Sequence, residues 1–309
     1  GFAEYGLKFG GFSVNAGVRY ENVKSDYYLF GQWQAEPSRR YSDWFPSASM
    51  SWNNGKWGLQ LAYACKTQRP SYSSLRDEVQ YNNRYTYEGG NPYLRPCIIN
   101  NVDFNAVYDW LSFNAGYNYI DNPMVWVATL YQGKDIVFLR NINFNHSQDV
   151  YASIVASPRF GWYNPMAEID YSQSFLHTDG FDINKPSNRP CFNFRLNNRF
   201  NITRSLKAFL NMRYKTSQLN DLQYTKPFAR VDVKLTKSFL NDALEIGVYA
   251  NDLFKTDKER WTMYGSHTIM TKDCYGYERC VGMTVSYNFN TAKSKYKGTG
   301  AGNAEKRRL

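Results

Sequence analysis

Apolar and polar residues alternate with a period of two along most of the chain. Near the start, for example, Phe12 and Val14 are apolar, whereas the interleaved Ser13 and Asn15 are polar. Successive side chains of a β-strand point to opposite faces, so this period predicts strands with one apolar and one polar face. Similar segments recur as far as residues 281–289 and predict about 13 strands in an all-β, antiparallel fold.

The connections between the predicted strands fall into two alternating classes of length. The short turns lie near Gly10-Gly11, Asn53–Gly55, Asp109-Trp110, Arg159–Gly161, Thr203-Arg204 and Asn241-Asp242. The long connections cover residues 25–40, 67–96, 176–190, 217–225 and 257–276, and a brief turn near Gln132-Gly133 completes that set. Outer-membrane β-barrels have short periplasmic turns and longer extracellular loops, so this alternation predicts a transmembrane barrel.

Charged residues in the polar rows indicate which face of the strands meets lipid. Arg195, Arg213, Lys234 and Glu245 all lie in these rows. A charge at the bilayer midplane costs about 2–4 kcal/mol, so we expect the polar rows to face the barrel interior and the apolar rows to face lipid. Many strands span about 10–14 residues, longer than the usual globular strand. A soluble β-sandwich binding module, with its apolar rows in a core, is the alternative.

The composition agrees with a strand-spanning membrane protein. Aromatic residues make up 17% of the 309 residues, yet the mean hydropathy is only −0.61. The sequence has no run of about 18 apolar residues that would predict a transmembrane helix. The net charge of +10 is spread along the chain and mixed with acidic residues, which does not favour nucleic-acid binding.

The cysteines do not define a disulfide framework. Five cysteines is an odd number, and Cys274 and Cys280 are close enough in sequence to pair, although their state stays open. The strand period places Cys65 on the outward face and Cys97 on the inward face. A disulfide between them is therefore not expected, because bridged Cβ atoms must point at each other.

The sequence predicts neither an enzyme nor a metal or cofactor site. His146, His177 and His267 lie in separate segments without the spacing of a metal motif. Neither a Gly-x-Ser-x-Gly motif nor a phosphate-binding glycine loop is present. Ser147 adjoins His146, but adjacent residues of a strand point to opposite faces and cannot act together.

One long connection carries candidate ligand-binding residues. Tyr81, Arg84, Tyr85 and Tyr87 form an aromatic and basic group in the connection at 67–96. Tyr and Arg are frequent anchors in binding sites, so this group could contact a glycan, a peptide or a siderophore-like ligand. Alternatively, these side chains pack the loop against its neighbours or line the membrane interface.

The two ends of the chain differ from each other. Gly1–Tyr5 already has the pattern of a strand and no signal peptide precedes it, so we expect a cut inside a domain or a processed end. Residues 290–309 have no apolar period and are predicted to form a disordered basic tail. We therefore divide the chain into a transmembrane barrel segment, residues 1–289, and a tail, residues 290–309.

Several segments of the chain carry short motifs. They are Arg69–Tyr72, Gly90–Pro96 with Asn101, Asn251–Phe254 and Lys297–Leu309, together with Val285, Tyr287 and Phe289 of the aromatic-ending last strand. These motifs resemble the barrels of TonB-dependent receptors, in particular the branch called the outer membrane protein beta-barrel family, and the last strand resembles the segment that the barrel-assembly machinery recognises. The resemblance covers most of the chain, with the Gly-Asn-Pro segment as its most specific part.

The resemblance implies uptake of a ligand across the outer membrane, with energy supplied through TonB. Family barrels have 22 strands, so this chain would begin at about strand 10 and end with a periplasmic tail. A TonB box and a plug are absent from the sequence given, and about 20 residues follow the last strand, unlike the family pattern. The implied partners are outer-membrane lipid, lipopolysaccharide, the barrel-assembly machinery and, through a plug, TonB. The alternative is a passive porin or a structural barrel, and the transported ligand cannot be read from these residues.

Overall fold

The computed structural model describes residues 1–276 and 278–289, and within them the regular structure is almost entirely β-strand. A single 3₁₀ turn, Tyr131–Gly133, is the one helical element of these residues. In chain order the strands are β1 (Phe2–Phe9), β2 (Phe12–Leu29), β3 (Gln32–Asn53), β4 (Trp57–Gln68), β5 (Val79–Asn83), β6 (Thr86–Gly89), β7 (Cys97–Tyr108), β8 (Leu111–Asp121), β9 (Met124–Leu130), β10 (Val137–Asn143), β11 (His146–Ala156), β12 (Tyr163–Leu176), β13 (Cys191–Asn201), β14 (Leu206–Lys215), β15 (Gln218–Asn220), β16 (Gln223–Thr225), β17 (Phe228–Phe239), β18 (Leu244–Asn251), β19 (Lys258–Tyr264), β20 (Ile269–Tyr275) and β21 (Cys280–Tyr287). The predicted tail, residues 290–309, lies outside the described residues.

Thirteen strands form one large antiparallel sheet, which confirms the predicted strand count and fold class. Among the described residues, no helix is long and apolar enough to cross a membrane. The edge strands β1 and β21 each have one neighbour, so closure into a barrel stays a prediction. The order of the strands in the sheet is β1-β2-β3-β4-β7-β8-β11-β12-β13-β14-β17-β18-β21.

The register of the sheet keeps the polar rows on one face across neighbouring strands. Arg213 of β14 lies opposite Arg195 of β13 on one side and opposite Arg230 of β17 on the other. One position along, Met212 lies between Leu196 and Val231 in the same way. Because a slip of one residue would exchange the two faces, this register confirms the predicted separation into an apolar and a polar face.

Aromatic side chains gather at the end of the sheet that carries the short turns. The ring centroids of Trp57 and Tyr108 are 4.5 Å apart, and those of Tyr163 and Phe200 are 5.0 Å apart. Trp162 extends the second group, with its ring 5.8 Å from that of Phe200. Amphipathic rings concentrate at the interface between lipid and water, so this band suits one boundary of a membrane-spanning wall.

The predicted long loop at residues 25–40 is wrong, because strands β2 and β3 continue through most of it. They meet at a tight turn in which Phe30 and Gly31 have φ angles of 49° and 79°. Beyond the apolar band both faces of a strand are wet, so the period-two pattern fades even though the strand continues. A loss of the period-two pattern therefore does not mark the end of a strand in this part of the chain.

The brief connection predicted near Gln132-Gly133 is also wrong in its extent. The 3₁₀ turn lies at this position, but it joins β9 to β10, which leave the main sheet. Strand β8 instead pairs directly with β11, beginning with Asp121 opposite His146. Every connection at this end of the sheet is therefore an extended hairpin or a long loop, and the count of 13 strands is unaffected.

The long connections fold into two further four-stranded sheets above the end of the main sheet. Their strand orders are β5-β6-β10-β9 and β15-β16-β19-β20. Val127, Phe144 and Leu222 are almost fully buried in a shared apolar cluster, and Ala128 packs with Met263 in a second one. Both clusters join residues from different connections, so the connections form one packed layer, which we call the loop layer.

A glycine on the polar face of β8 allows an unusually close approach by a tyrosine. A Cβ atom added at Gly116 would lie 2.2 Å from the ring of Tyr151, its partner across β11. The Tyr151 hydroxyl donates to Asp103 at 2.8 Å and accepts from the amide of Asn101 at 3.1 Å, so the ring is held in place. A side chain at position 116 must therefore disrupt this network or shift the strand.

We expect Gly116→Ala to lower the free energy of unfolding by about 1–3 kcal/mol, the usual cost of overpacking. The measurement is urea unfolding of the membrane-folded protein, followed by tryptophan fluorescence. Gly58→Ala is the matched control, because a Cβ atom there meets only the Asn53 amide at 3.8 Å. Adding Tyr151→Ala should remove most of the Gly116 effect. Equal losses from Gly116→Ala and Gly58→Ala would contradict the proposed clash.

Candidate functional site

The β5–β6 hairpin carries all four residues that the sequence predicted as ligand contacts. Tyr81 of β5 lies opposite Tyr87 of β6, with ring centroids 5.7 Å apart. Arg84 and Tyr85 form the turn, and the guanidinium carbon of Arg84 lies 4.6 Å from the centroid of the Tyr85 ring. The hairpin therefore presents a short aromatic and basic surface at its tip.

The four residues differ in their surroundings. The ring of Tyr87 packs edge-on against Tyr131 at 5.0 Å, and Tyr131 packs in turn against Phe138 at 5.5 Å. Tyr87 thus holds the hairpin on the loop layer, as the packing alternative anticipated. Tyr81 and Tyr85 remain exposed, and their role in ligand binding stays a prediction.

A polar cavity lies at the base of the same hairpin. Gln80 and Glu88 are paired across the hairpin and both line this space, whose volume is about 250 Å³. Trp126 of β9, Asn141 of β10 and Arg76 complete much of its wall. We call it the hairpin cavity. The sequence does not predict this cavity, because its pattern indicates only a brief turn near Gln132-Gly133, whereas β9 and β10 leave the main sheet and meet the hairpin only through tertiary folding.

The Gly-Asn-Pro segment closes one side of the hairpin cavity. The backbone nitrogen of Asn91 donates to the backbone carbonyl oxygen of Ser74 at 2.7 Å, and the Asn91 side-chain amide donates to the backbone carbonyl oxygen of Asn141 at 3.0 Å. A Cβ atom at Gly90 would lie 2.2 Å from the carbonyl oxygen of Arg76, so only glycine fits there. The motif therefore joins three parts of the loop layer into one wall.

The polar face of the main sheet carries a charged network between β12 and β13. Arg195 donates to Glu168 at 2.7 Å and to Asp170 at 2.9 Å. Asp170 also accepts from the Asn193 amide at 2.7 Å and from the Ser153 hydroxyl at 2.8 Å. Such a network requires water or other polar groups beside it, because charges in hydrocarbon are costly.

The Asn-Asp-Leu-Phe segment organises the sheet where β18 enters the loop layer. Asp252 is fully buried, and its carboxylate accepts from the Thr256 backbone at 2.9 Å and from the Tyr275 hydroxyl at 3.0 Å. Its own backbone nitrogen donates to Asp232 at 2.8 Å. Arg230 links Asp232 to the loop that follows. These bonds give the segment a structural role at the start of the last long connection.

The turn between β15 and β16 places a carboxylate above the polar face. Asp221 lines a cavity of about 160 Å³ together with Asp149 and the buried residues Ser147 and Ser174. The pKa of Asp221 is raised to about 6, mainly by burial and to a smaller extent by the Asp149 carboxylate, while Lys185 opposes the shift. This carboxyl group is therefore half protonated near pH 6 and mostly ionised at pH 7, so its repulsion of Asp149 falls only as the pH drops below neutral.

The structure brings together two histidines that are far apart in sequence. His146 begins β11, His177 follows β12, and their rings stack with centroids 4.0 Å apart. Neighbouring Ser147 is buried on the other face, as the strand period predicted. The described residues contain no group of three or more His, Cys, Asp or Glu side chains arranged to hold a metal ion.

The five cysteines are all free thiols in the structure. Cys65 lies opposite Asn100, and Cys97 lies opposite Gln68. These pairs belong to alternate rows of β4 and β7, which confirms the predicted opposite orientations of Cys65 and Cys97.

The last strand of the main sheet, β21, has one unpaired edge and an apolar outer row. Val285, Tyr287 and Phe289 are exposed, and the rings of Tyr287 and Phe289 lie 4.6 Å apart. Their recognition by the barrel-assembly machinery stays a prediction.

Solved structures with a similar fold include an iron transporter, a siderophore receptor and a ferric enterobactin receptor. The FrpB iron transporter from Neisseria meningitidis has a TM-score of 0.62 and 16% identity, covering 93% of this chain and 44% of its own. The siderophore receptor PirA from Pseudomonas aeruginosa has a TM-score of 0.59 and 13% identity, covering 88% and 47%. A ferric enterobactin receptor (PfeA) mutant from the same organism has a TM-score of 0.53 and 15% identity, covering 84% and 40%. This chain therefore spans less than half the length of these proteins.

A comparison with curated proteins found no match to the sequence. The model of the outer membrane protein beta-barrel family, by contrast, matches residues 1–287. This match covers all 13 strands of the main sheet and agrees with its two-faced register, which confirms the resemblance seen in the sequence. The chain belongs to the outer membrane protein beta-barrel family.

Proposed function

We propose that this chain forms part of an outer-membrane receptor that takes up a ligand with energy supplied through TonB. The observation that carries the proposal is the unbroken division of a 13-stranded sheet into an apolar outer face and a polar inner face. Such a wall belongs in a bilayer around a polar interior. The similar solved structures, which include an iron transporter and siderophore receptors, support the proposal that a ligand is taken up through this interior.

The loop layer favours a receptor over a passive porin. The connections fold into two sheets with buried apolar clusters and cover part of the polar face. The β15–β16 hairpin and β9 both line the cavity beside Ser147 and Asp149. A porin needs an open path for water and ions, whereas a receptor benefits from ordered loops that hold a ligand at the entrance.

The soluble β-sandwich is disfavoured by the exposure of the apolar face. In a sandwich, the inner apolar face of one sheet is covered by that of the other. Here Leu61, Met212 and Val248 of the outer face are each more than 40% exposed, and the loop layer leans over the opposite, polar face. Lipid is the cover that this arrangement requires.

The remaining parts of the proposal follow from family membership. The wall would be completed to about 22 strands, with the short turns and the C-terminal tail in the periplasm and the loop layer outside the cell. Insertion would use the barrel-assembly machinery, with Val285, Tyr287 and Phe289 in the recognised strand. Outer-membrane lipid and lipopolysaccharide would surround the apolar face, and TonB would act through a plug inside the wall.

Leu61→Arg should prevent stable insertion, because its side chain lies in the middle of the outer apolar row of β4. The expected loss is about 2–4 kcal/mol, the cost of a charge near the bilayer midplane. Gln60→Arg is the matched control, because Gln60 is adjacent and faces the polar interior. Heat-modifiable migration of the membrane-extracted protein measures the folded fraction. Equal folded fractions for Leu61→Arg and Gln60→Arg would contradict the assignment of the lipid-facing row.

The receptor and porin alternatives differ in electrical conductance. We expect the protein purified from outer membranes to show almost no steady conductance in a planar lipid bilayer, because ordered loops and a plug would close the interior. A steady, large conductance at low voltage would indicate a porin. Protein that stays monomeric and soluble without detergent would instead overturn the membrane proposal.

A further inference from the structure

The hairpin cavity has the chemistry of a saccharide-binding subsite. Building on the proposed receptor function, we propose that it binds a neutral, polyhydroxylated ligand at the entrance, namely one end of an oligosaccharide. The proposal rests on the aromatic, polar and charged groups that the fold brings to this cavity.

Trp126 supplies an exposed aromatic face. It lies in β9, lines the hairpin cavity and remains 44% exposed, although its strand neighbours Val125 and Val127 are buried. A large ring left open in a concave, polar surface is available to stack on the C–H face of a sugar ring. Trp126 does not belong to the buried apolar cluster that contains Val125 and Val127, so packing in that cluster does not explain its position.

The polar side chains of the cavity can pair with hydroxyl groups. Gln80 and Asn141 each carry a donor and an acceptor, and neither amide makes a side-chain hydrogen bond within the described part of the chain. Glu88 uses one carboxylate oxygen to accept from the Asn82 amide at 2.6 Å, which leaves the other oxygen for a ligand. A sugar hydroxyl both donates and accepts, so this mixed set suits it.

The balance of charge disfavours an anionic ligand. Glu78 and Glu88 contribute two carboxylates, whereas Arg76 contributes one positive charge and lies 3.6 Å from Glu78. An anionic metal chelate would meet a net negative wall, and only Arg76 could offset it. A neutral ligand avoids this repulsion and can still accept hydrogen bonds from Arg76 and donate them to the carboxylates.

The cavity is held in shape before any ligand binds. Asn91 links the Gly-Asn-Pro segment to Ser74 and to Asn141, and Gly90 packs directly against the backbone of Arg76. Preformed walls reduce the entropy that binding must overcome. The volume of about 250 Å³ lies below that of sites for drug-sized ligands, so the cavity suits about one or two sugar rings.

The test is calorimetric titration of the detergent-purified protein with neutral gluco-, xylo- and galacto-oligosaccharides. We expect at least one of them to bind, and Trp126→Ala and Gln80→Ala each to weaken that binding about tenfold, the size of one aromatic or hydrogen-bond contact. Trp33→Ala is the matched control, because Trp33 is an exposed tryptophan near the start of β3 that does not line the cavity. Heat-modifiable migration must be unchanged in all three variants.

Other outcomes separate this proposal from the receptor function. Absence of binding to every oligosaccharide, or binding that Trp126→Ala leaves unchanged, overturns the saccharide subsite. Trp126-dependent binding of a ferric catecholate or of a short oligolysine in place of sugars also overturns it. None of these results affects the receptor proposal, which depends on lipid-facing residues and on conductance.

Discussion

The structure depends on one constraint, which is that backbone N–H and C=O groups in hydrocarbon must be paired by neighbouring strands. Water is absent there, so each strand needs a partner on both sides and only a closed wall satisfies every group. Continuous antiparallel pairing from β1 to β21 meets this requirement for eleven inner strands. The apolar outer row and the polar inner row then follow, because the same strands separate lipid from a wet interior.

Outside the hydrocarbon the constraint is relaxed, and the chain behaves like a globular protein. Strands β9 and β10 leave the wall, shorter sheets form, and side chains such as Phe144 and Leu222 are buried in compact clusters. There, individual hydrogen bonds from side chains, rather than the regular backbone hydrogen bonds between strands, determine the conformation of the chain. Asp252 and Asn91 illustrate this change, since each bonds with several backbone or side-chain groups from other parts of the loop layer.

The loop layer is also where sequence reasoning about the site was least complete. The hairpin tip was found because aromatic and basic residues are adjacent in sequence. The hairpin cavity was not predicted, because Trp126 and Asn141 lie opposite each other in the β9–β10 hairpin, which is distant in the chain from Gln80 of β5. The pairing of His146 with His177 was missed for the same reason. Binding surfaces assembled from several loops leave no local pattern in the sequence.

The sequence by itself determined the strand count, the two faces of the wall, the opposite orientations of Cys65 and Cys97, and the family. These properties depend on a local period of two and on short motifs, and lipid makes that period obligatory. Only the tertiary structure decided that residues 25–40 continue as strand, that β9 and β10 leave the wall, and which side chains surround the hairpin cavity. Outside the membrane, no boundary between lipid and a polar interior imposes the period of two. Packing between loops that are distant in the sequence decides the structure there.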